Sequence, residues 1–162
     1  MIKKGMLALF IGLYSCTMES PTTFSEEALN DVFIAMNNEE VSFKEILANN
    51  KGKKILIDVW ASWCTDCLKG LPKVKKLQEQ NPDVVYLFLS LDRNLESWKE
   101  GVERLKLKGQ HYFMQSGWKG RFGDFLGLNW IPRYVLINEA GKIEVFNATK
   151  ATDNLILEGL KK

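Results

Sequence analysis

The chain has 162 residues, of which 46% are hydrophobic and 26% are charged, and its formal net charge is +2. Acidic and basic residues are interspersed along it, so the composition gives no support for nucleic-acid binding. Residues 31–162 contain enough aliphatic and aromatic side chains for one hydrophobic core, which predicts a single domain.

The first 16 residues have the pattern of an export signal. Two lysines precede an apolar run at residues 6–13, and a Ser-Cys pair follows it. The run is shorter than the roughly 20 residues that a membrane-spanning helix needs, which predicts a signal peptide over residues 1–16. Residues 13–16 resemble the lipobox of bacterial lipoproteins, which implies lipidation of Cys16; plain secretion is the alternative. Lipidation also accounts for the odd number of cysteines, three, because it leaves one pair.

The next segments connect this signal to the rest of the chain. Residues 17–30 are polar and lack periodicity, which predicts a flexible tether or a leader without a spacing role. Residues 32–36 are a short strand candidate. Residues 42–45 have the pattern of a helix capping box, so a short helix is predicted to end near Asn49.

Residues 54–67, KILIDVWASWCTDC, carry the strongest functional signal. A predicted strand at residues 55–60 leads into a Cys-x-x-Cys pair, Cys64 and Cys67, and helical spacing follows. This order places Cys64 at a helix N-terminus, where free backbone N–H groups favour an anion. Such settings lower a thiol pKa from about 8.5 to roughly 3.5–7.5, so Cys64 is a candidate nucleophile. Cys67, one helical turn later, can close a disulfide with it.

Asp58 is a candidate proton acceptor. It lies six residues before Cys64, and its neighbours in the strand are all apolar. This pattern predicts a buried carboxylate whose pKa is raised by desolvation and which takes the proton of Cys67. The alternative is an aspartate at a strand edge that faces solvent.

A helix and a second strand follow the cysteines. Apolar residues at helical spacing predict a helix over residues 65–80, which Pro72 should bend. Residues 84–91 form a continuous apolar run typical of a strand covered on both faces. Strand, helix and strand in this order predict a parallel, right-handed crossover. Asp92 then either tunes the cysteines or caps a helix over residues 95–107.

The Cys-x-x-Cys stretch resembles the active site of thioredoxin-fold proteins. The positions that match the motif of this family one by one are Trp60, Ala61, Trp63, Cys64 and Cys67, together with Asp58 for its buried carboxylate and Pro72 for its helix kink. Asp66 occupies a position that usually holds proline, which bears on the redox potential. The resemblance implies an α/β fold, thioredoxin-like, with a central mixed sheet flanked by helices.

A strand candidate at residues 111–114 and a short helix candidate at residues 118–126 resemble the helix-strand insertion of the TlpA/ResA group. His111 is the only histidine. We interpret it as structural, because no second set of metal ligands lies near it in the sequence. No metal and no cofactor are predicted.

Ile131 and Pro132 match the cis-proline loop of the same family, which faces the cysteine pair. Only about 5–6% of X–Pro bonds are cis, so this assignment comes from the resemblance alone. It implies that the Ile131 backbone pairs with an extended substrate segment. Arg133 is a second substrate-binding candidate, with an exposed arginine at a strand edge as the alternative. A hairpin of strands at 134–138 and 143–146, then a helix over 154–160, complete the predicted fold.

The predicted function is a thiol–disulfide oxidoreductase, lipid-anchored on the periplasmic side of a bacterial envelope. Its predicted partners are exported proteins that contain cysteines, and an unidentified redox partner. Cys64 attacks, Cys67 resolves with help from Asp58, and Trp63 and the Pro132 loop hold the substrate. The Asp66 carboxylate disfavours a nearby thiolate, which favours a reductase over an oxidase or isomerase.

A redox-inert or copper-handling binding module is the alternative from another class, because two cysteines can hold Cu(I). A peroxidase lacks support, since the sequence has no lone attacking cysteine in a Thr-x-x-Cys context.

Overall fold

The computed structural model describes residues 19–161. Seven strands form one mixed sheet in the order β2-β1-β5-β4-β3-β6-β7. The strands are β1 (Val32–Ala35), β2 (Glu40–Ser42), β3 (Ile55–Trp60), β4 (Val85–Ser90), β5 (Gln110–Phe113), β6 (Arg133–Ile137) and β7 (Ile143–Ala148). The helices are α1 (Glu26–Leu29), α2 (Phe43–Asn49), α3 (Thr65–Gln80), α4 (Leu95–Leu105), α5 (Arg121–Phe125) and α6 (Asn154–Gly159).

Strand β3 lies inside the sheet, and all six of its residues are buried. It runs parallel to β4 on one side and antiparallel to β6 on the other. The predicted parallel connection through α3 is therefore confirmed. The predicted antiparallel hairpin of β6 and β7 is confirmed as well. A strand that is apolar on both faces needs cover on both, and the helices packed against the sheet supply it.

Helix α3 has one apolar stripe, which explains why it packs on the sheet. Its buried residues are Cys67, Leu71, Val74 and Leu77. These positions recur every three or four residues, so they share one helix face. Lysines occupy the outer face, and the helix continues past Pro72.

The predicted insertion consists of β5 and α5. Strand β5 is parallel to β4 and antiparallel to β1, so it joins β1 and β2 to the rest of the sheet. Helix α5 contributes Phe122 to a cluster of aromatic rings, in which it lies 4.6 Å from Phe43 and 5.4 Å from Phe33. The insertion thus extends the hydrophobic core.

The predicted tether over residues 17–30 is wrong for its second half. Phe24 is buried, with its ring centroid 4.8 Å from that of Phe43. The Thr22 carbonyl accepts a hydrogen bond of 2.9 Å from the Ile143 N–H at the start of β7. Helix α1 begins after Ser25, whose hydroxyl caps it. The Phe24 ring packs into the core and thereby fixes this polar segment. The segment has no apolar periodicity, so this packing has no local signal in the sequence.

The predicted signal peptide over residues 1–16 and the lipidation of Cys16 lie outside the described residues. Within residues 19–161, no helix has the length and apolar content needed to cross a membrane. Strand β2 was not predicted, because it is only three residues long and partly exposed.

Candidate active site

Cys64 and Cys67 form a disulfide just beyond the C-terminal end of β3. The S–S distance is 2.10 Å and the Cα–Cα distance is 5.2 Å. Cys64 is the N-cap residue of α3, and its Sγ accepts the Cys67 backbone N–H at 3.1 Å. The same N–H group and the positive end of the helix dipole stabilise a thiolate at Cys64 once the disulfide is reduced. This geometry is suited to a nucleophilic sulfur at Cys64.

Asp58 faces helix α3. It lies directly opposite Tyr134 in the β3–β6 ladder, so the two side chains share one face of the sheet. A Cβ atom on Gly70 of α3 would lie 3.3 Å from the Tyr134 hydroxyl, so this face is the one that α3 covers. The carboxylate therefore lies on the same side of the sheet as the helix that carries Cys67.

Burial raises the pKa of Asp58 to about 8, because desolvation penalises the charged carboxylate more than the Tyr134 hydroxyl stabilises it. Within residues 19–161, neither Oδ1 of Asp58 nor the Tyr134 hydroxyl has a hydrogen-bond partner at full bonding distance and angle, so the Tyr134 hydroxyl lowers the pKa of Asp58 only weakly. A carboxylic acid with a pKa near neutrality is suited to exchange a proton with a thiol.

Tyr134 was not predicted as a site residue. Its signal in the sequence is indirect: it lies two residues after Pro132 in the loop that the family resemblance places against the cysteines. Burial, with a smaller contribution from the Asp58 charge, raises the pKa of its hydroxyl, which therefore stays protonated.

The Ile131–Pro132 peptide bond is cis. The Ile131 carbonyl oxygen lies 3.8 Å from Cys64 Sγ, so this loop contacts the Cys64 sulfur. Within the described part of the chain, the Ile131 N–H makes no backbone hydrogen bond. An extended segment can therefore add to this loop as a strand does to a sheet edge.

A cavity of about 410 Å³ opens beside Cys64 and Ile131. Trp63, Trp118 and Trp130 line it, and Trp63 and Trp130 are 51% and 57% exposed. Exposed aromatic rings around a buried sulfur are suited to hold the apolar part of a partner chain. Trp63 was predicted, whereas Trp118 and Trp130 were not. Trp130 lies two residues before Pro132, so its position in the loop was a usable signal.

Asp92 holds the loop that precedes Cys64. Its carboxylate accepts hydrogen bonds from the Ser62 N–H, at 3.1 Å, and from the Ser62 hydroxyl, at 2.6 Å. The Ser90 hydroxyl donates a further bond of 2.7 Å. The expectation that Asp92 caps α4 is wrong, because Asn94 is the N-cap.

The structure contradicts the predicted substrate contact of Arg133, which is 4% exposed. Its guanidinium donates a hydrogen bond of 2.6 Å to the Leu126 carbonyl at the end of α5. The exposed strand-edge alternative is also wrong, because β6 lies between β3 and β7.

Two other titratable residues stand out in the sequence, Asp66 and His111. Asp66 is half exposed and forms an ion pair of 3.6 Å with Lys69. His111 stacks on Phe88, with 5.1 Å between ring centroids, and its Nε2 lies 3.1 Å from the Leu107 carbonyl oxygen. Burial lowers the pKa of His111, as expected of a neutral structural histidine. Residues 19–161 contain no cluster of three side chains that would hold a metal ion.

In this arrangement, Cys64 and Cys67 can alternate between dithiol and disulfide while a second chain contacts the Ile131–Pro132 loop. Proteins that use this chemistry are thiol–disulfide oxidoreductases, and the sheet order and cis-proline loop place this one among those with a thioredoxin-like fold.

Comparisons with known proteins agree with this class. The sequence profile of the Redoxin family matches residues 22–153, so the chain belongs to the Redoxin family. It is 28% identical over 150 residues to sporulation thiol-disulfide oxidoreductase A of Bacillus subtilis, and the alignment covers 89% of each protein. It is 22% identical over 142 residues to thiol-disulfide oxidoreductase ResA of Halalkalibacterium halodurans, covering 82% of this chain and 73% of that protein.

The solution structure of a candidate thiol-disulfide oxidoreductase from Bacteroides vulgatus is similar, with a TM-score of 0.66 and 32% identity. The match covers 93% of this chain and 91% of that one. The predicted TlpA/ResA-type fold and the predicted enzyme class, thiol–disulfide oxidoreductase, are therefore confirmed.

Proposed function

We propose that this chain is a protein disulfide reductase of the bacterial envelope that acts on exported proteins with cysteines. One observation carries the proposal: the attacking sulfur, Cys64, lines an open aromatic cavity and contacts the cis-proline loop. Its bonding partner, Cys67, belongs to the helix that covers a buried carboxylic acid. A visiting chain can reach one sulfur, while the second sulfur and the proton acceptor stay inside.

The reaction begins with the reduced protein. The Cys64 thiolate attacks one sulfur of a substrate disulfide, a mixed disulfide forms, and the other substrate sulfur leaves as a thiolate. The Asp58 carboxylate then takes the proton of Cys67. The Cys67 thiolate attacks Cys64 Sγ, which closes the Cys64–Cys67 disulfide and releases the second substrate sulfur as a thiolate. The two released thiolates then take up protons, one of them equivalent to the proton that Asp58 accepted. Two electrons pass from the protein dithiol to the substrate disulfide.

The reducing direction is supported by Asp66. This carboxylate lies in the first turn of α3, two residues after Cys64. Its negative charge opposes a thiolate there, so the dithiol form is less stabilised and the reduction potential is more negative. Lys69 and solvent screen part of this charge, so the effect is moderate.

The envelope location is supported by the pattern of residues 1–16. Export with lipidation of Cys16 anchors the mature chain at a membrane, and residues 17–21 then link the lipid to the folded domain, which begins at Thr22. A domain in the periplasm meets substrates with disulfides, because disulfides form and persist mainly in exported proteins.

The reduction potential tests the direction. Equilibration of the purified protein with glutathione buffers is expected to give a value more negative than about −200 mV, the range of glutaredoxins and thioredoxin. A value near about −120 mV, that of a strong oxidant, would show that the protein oxidises its partners.

Trapping of mixed disulfides in cells tests the substrates. Cys67→Ala leaves Cys64 without its resolving partner, so covalent adducts with exported proteins are expected to accumulate. The matched control is the double variant Cys64→Ala with Cys67→Ala, which should trap none. Adducts only with cytoplasmic proteins, or unlipidated Cys16 after growth with a labelled fatty acid, would contradict the proposed location or anchor.

A further inference from the structure

A second cavity, of about 370 Å³, adjoins the aromatic cavity beside Cys64. The two share Asp66 and Trp130, so the exposed Trp130 ring stands between them. Pro132 lines the second cavity as well. A chain that pairs with the cis-proline loop therefore has a continuous path from Cys64 past Trp130 into this space. We call the second cavity the lysine groove.

The lysine groove has a positive lining. Lys69 and Lys73 reach it from α3, and Lys150 reaches it from the segment that follows β7. Asp66 is the only carboxylate among its lining residues, and it is paired with Lys69. Within residues 19–161, Lys73 and Lys150 have no carboxylate within 4.0 Å. The groove thus has a formal charge of +2, from these two lysines.

We propose that the lysine groove selects substrate segments with acidic side chains close to the reactive cysteine. This inference rests on the proposed function and adds a substrate class to it. The occupant is the extended chain that carries the sulfur attacked by Cys64. Carboxylates on that chain are complementary to Lys73 and Lys150, and the aromatic cavity next to them accepts its apolar part.

The spacing along α3 sets where the acidic side chains belong. Helices rise 1.5 Å per residue, so Lys69 lies roughly 8 Å and Lys73 roughly 14 Å beyond Cys64 along the axis. An extended chain rises about 3.3 Å per residue. Carboxylates about two to four residues from the reactive cysteine therefore match the lysines.

Reduction of matched peptide dimers tests this inference. Three peptides share one sequence with a central cysteine, are dimerised through it, and carry aspartate, asparagine or lysine at the second to fourth positions on both sides. The reduced full-length protein should reduce the acidic dimer about tenfold faster than the basic one at low salt, with the uncharged dimer between them. At about 0.5 M salt the rates should converge, because screening shortens the range of the attraction.

Two double variants separate the groove from the net charge of the protein. Lys73→Gln with Lys150→Gln should reduce the tenfold preference to about twofold. Lys44→Gln with Lys142→Gln removes the same charge from exposed lysines outside the groove and should keep the preference.

Equal rates for the three dimers, or equal losses in both double variants, would overturn the role of the groove and leave the proposed function intact. Failure to reduce even the uncharged dimer would instead contradict the proposed function.

Discussion

The Asp92 carboxylate binds both the backbone N–H and the hydroxyl of Ser62, thirty residues earlier in the chain. Strand β4 ends at Ser90, and Ser62 lies in the loop that leads to Cys64. The end of one strand therefore fixes the backbone that presents Cys64 at the end of the neighbouring strand.

Substitution of Asp92 by alanine should lower the free energy of unfolding of the oxidised protein by about 2–3 kcal/mol, because the Ser62 N–H loses its charged acceptor. Urea denaturation measures this change, and disulfide reduction should slow at the same time. Ser62→Ala removes only the hydroxyl bond, so its loss should be nearer about 1 kcal/mol. Equal losses in the two variants would show that the backbone contact contributes little.

The raised pKa of Asp58 predicts a pH-dependent stability. The value is about 8 in the folded protein and near 3.8 when the carboxyl is exposed, so the unfolded chain loses its proton first as pH rises. Stability is therefore lost between about pH 4 and pH 8. Asp58→Asn should remove this loss and raise the free energy of unfolding at pH 7 by up to about 4 kcal/mol. Urea denaturation of the oxidised proteins at pH 3.5 and pH 7 checks this, and an advantage of equal size at both pH values would contradict it.

Tyr134 should influence the proton that Asp58 exchanges with Cys67. Its hydroxyl weakly lowers the pKa of Asp58, so Tyr134→Phe should raise that pKa and leave less carboxylate at neutral pH. Resolution of the mixed disulfide at pH 7 should slow about two- to fivefold, with the midpoint of its pH profile moved upward. Asp58→Asn should slow it by about 10²-fold and abolish the midpoint. Stopped-flow measurement of the resolving step is the readout. An unchanged midpoint in Tyr134→Phe would show that Tyr134 does not affect the pKa of Asp58.

The buried guanidinium of Arg133 has no carboxylate partner within the described residues, so its contribution to the free energy of unfolding can be tested by substitution. Within residues 19–161, its guanidinium makes one hydrogen bond, to the Leu126 carbonyl, and its Nε lacks a partner. Arg133→Met keeps most of the side-chain volume and removes the cost of burying the charge, so the free energy of unfolding should change by less than about 1 kcal/mol. Arg133→Ala leaves a cavity and should cost about 2–3 kcal/mol. Neither substitution should alter KM for the uncharged peptide dimer. A higher KM in Arg133→Met would show that Arg133 does contact the substrate.

The central part of the fold could be predicted because its signals are local. The apolar run of β3 ends at the cysteine pair, and the run of β4 follows a turn, so both strands and the helix between them are evident from the sequence. The buried position of Asp58 follows from its apolar neighbours in the same strand.

Features that depend on register between distant strands could not be predicted. Tyr134 lies opposite Asp58 only because β6 pairs with β3 in one particular alignment. The burial of Arg133 depends on the placement of β7 outside β6 and of α5 above it. The packing of Phe24 depends on Phe43 and Phe122, which come from separate parts of the chain. These contacts are set by tertiary packing, which has no local pattern.

The contact between Thr22 and Ile143 has a consequence for truncated forms of this protein. Strand β7 is the last strand of the sheet, so its outer backbone groups face no further strand. Thr22 occupies one of these groups, and Phe24 holds the segment in place. A fragment that starts at Val32 would uncover this edge and remove a ring from the core, and exposed edges are templates for self-association. We therefore expect a fragment without Thr22 and Phe24 to aggregate more readily than the longer chain.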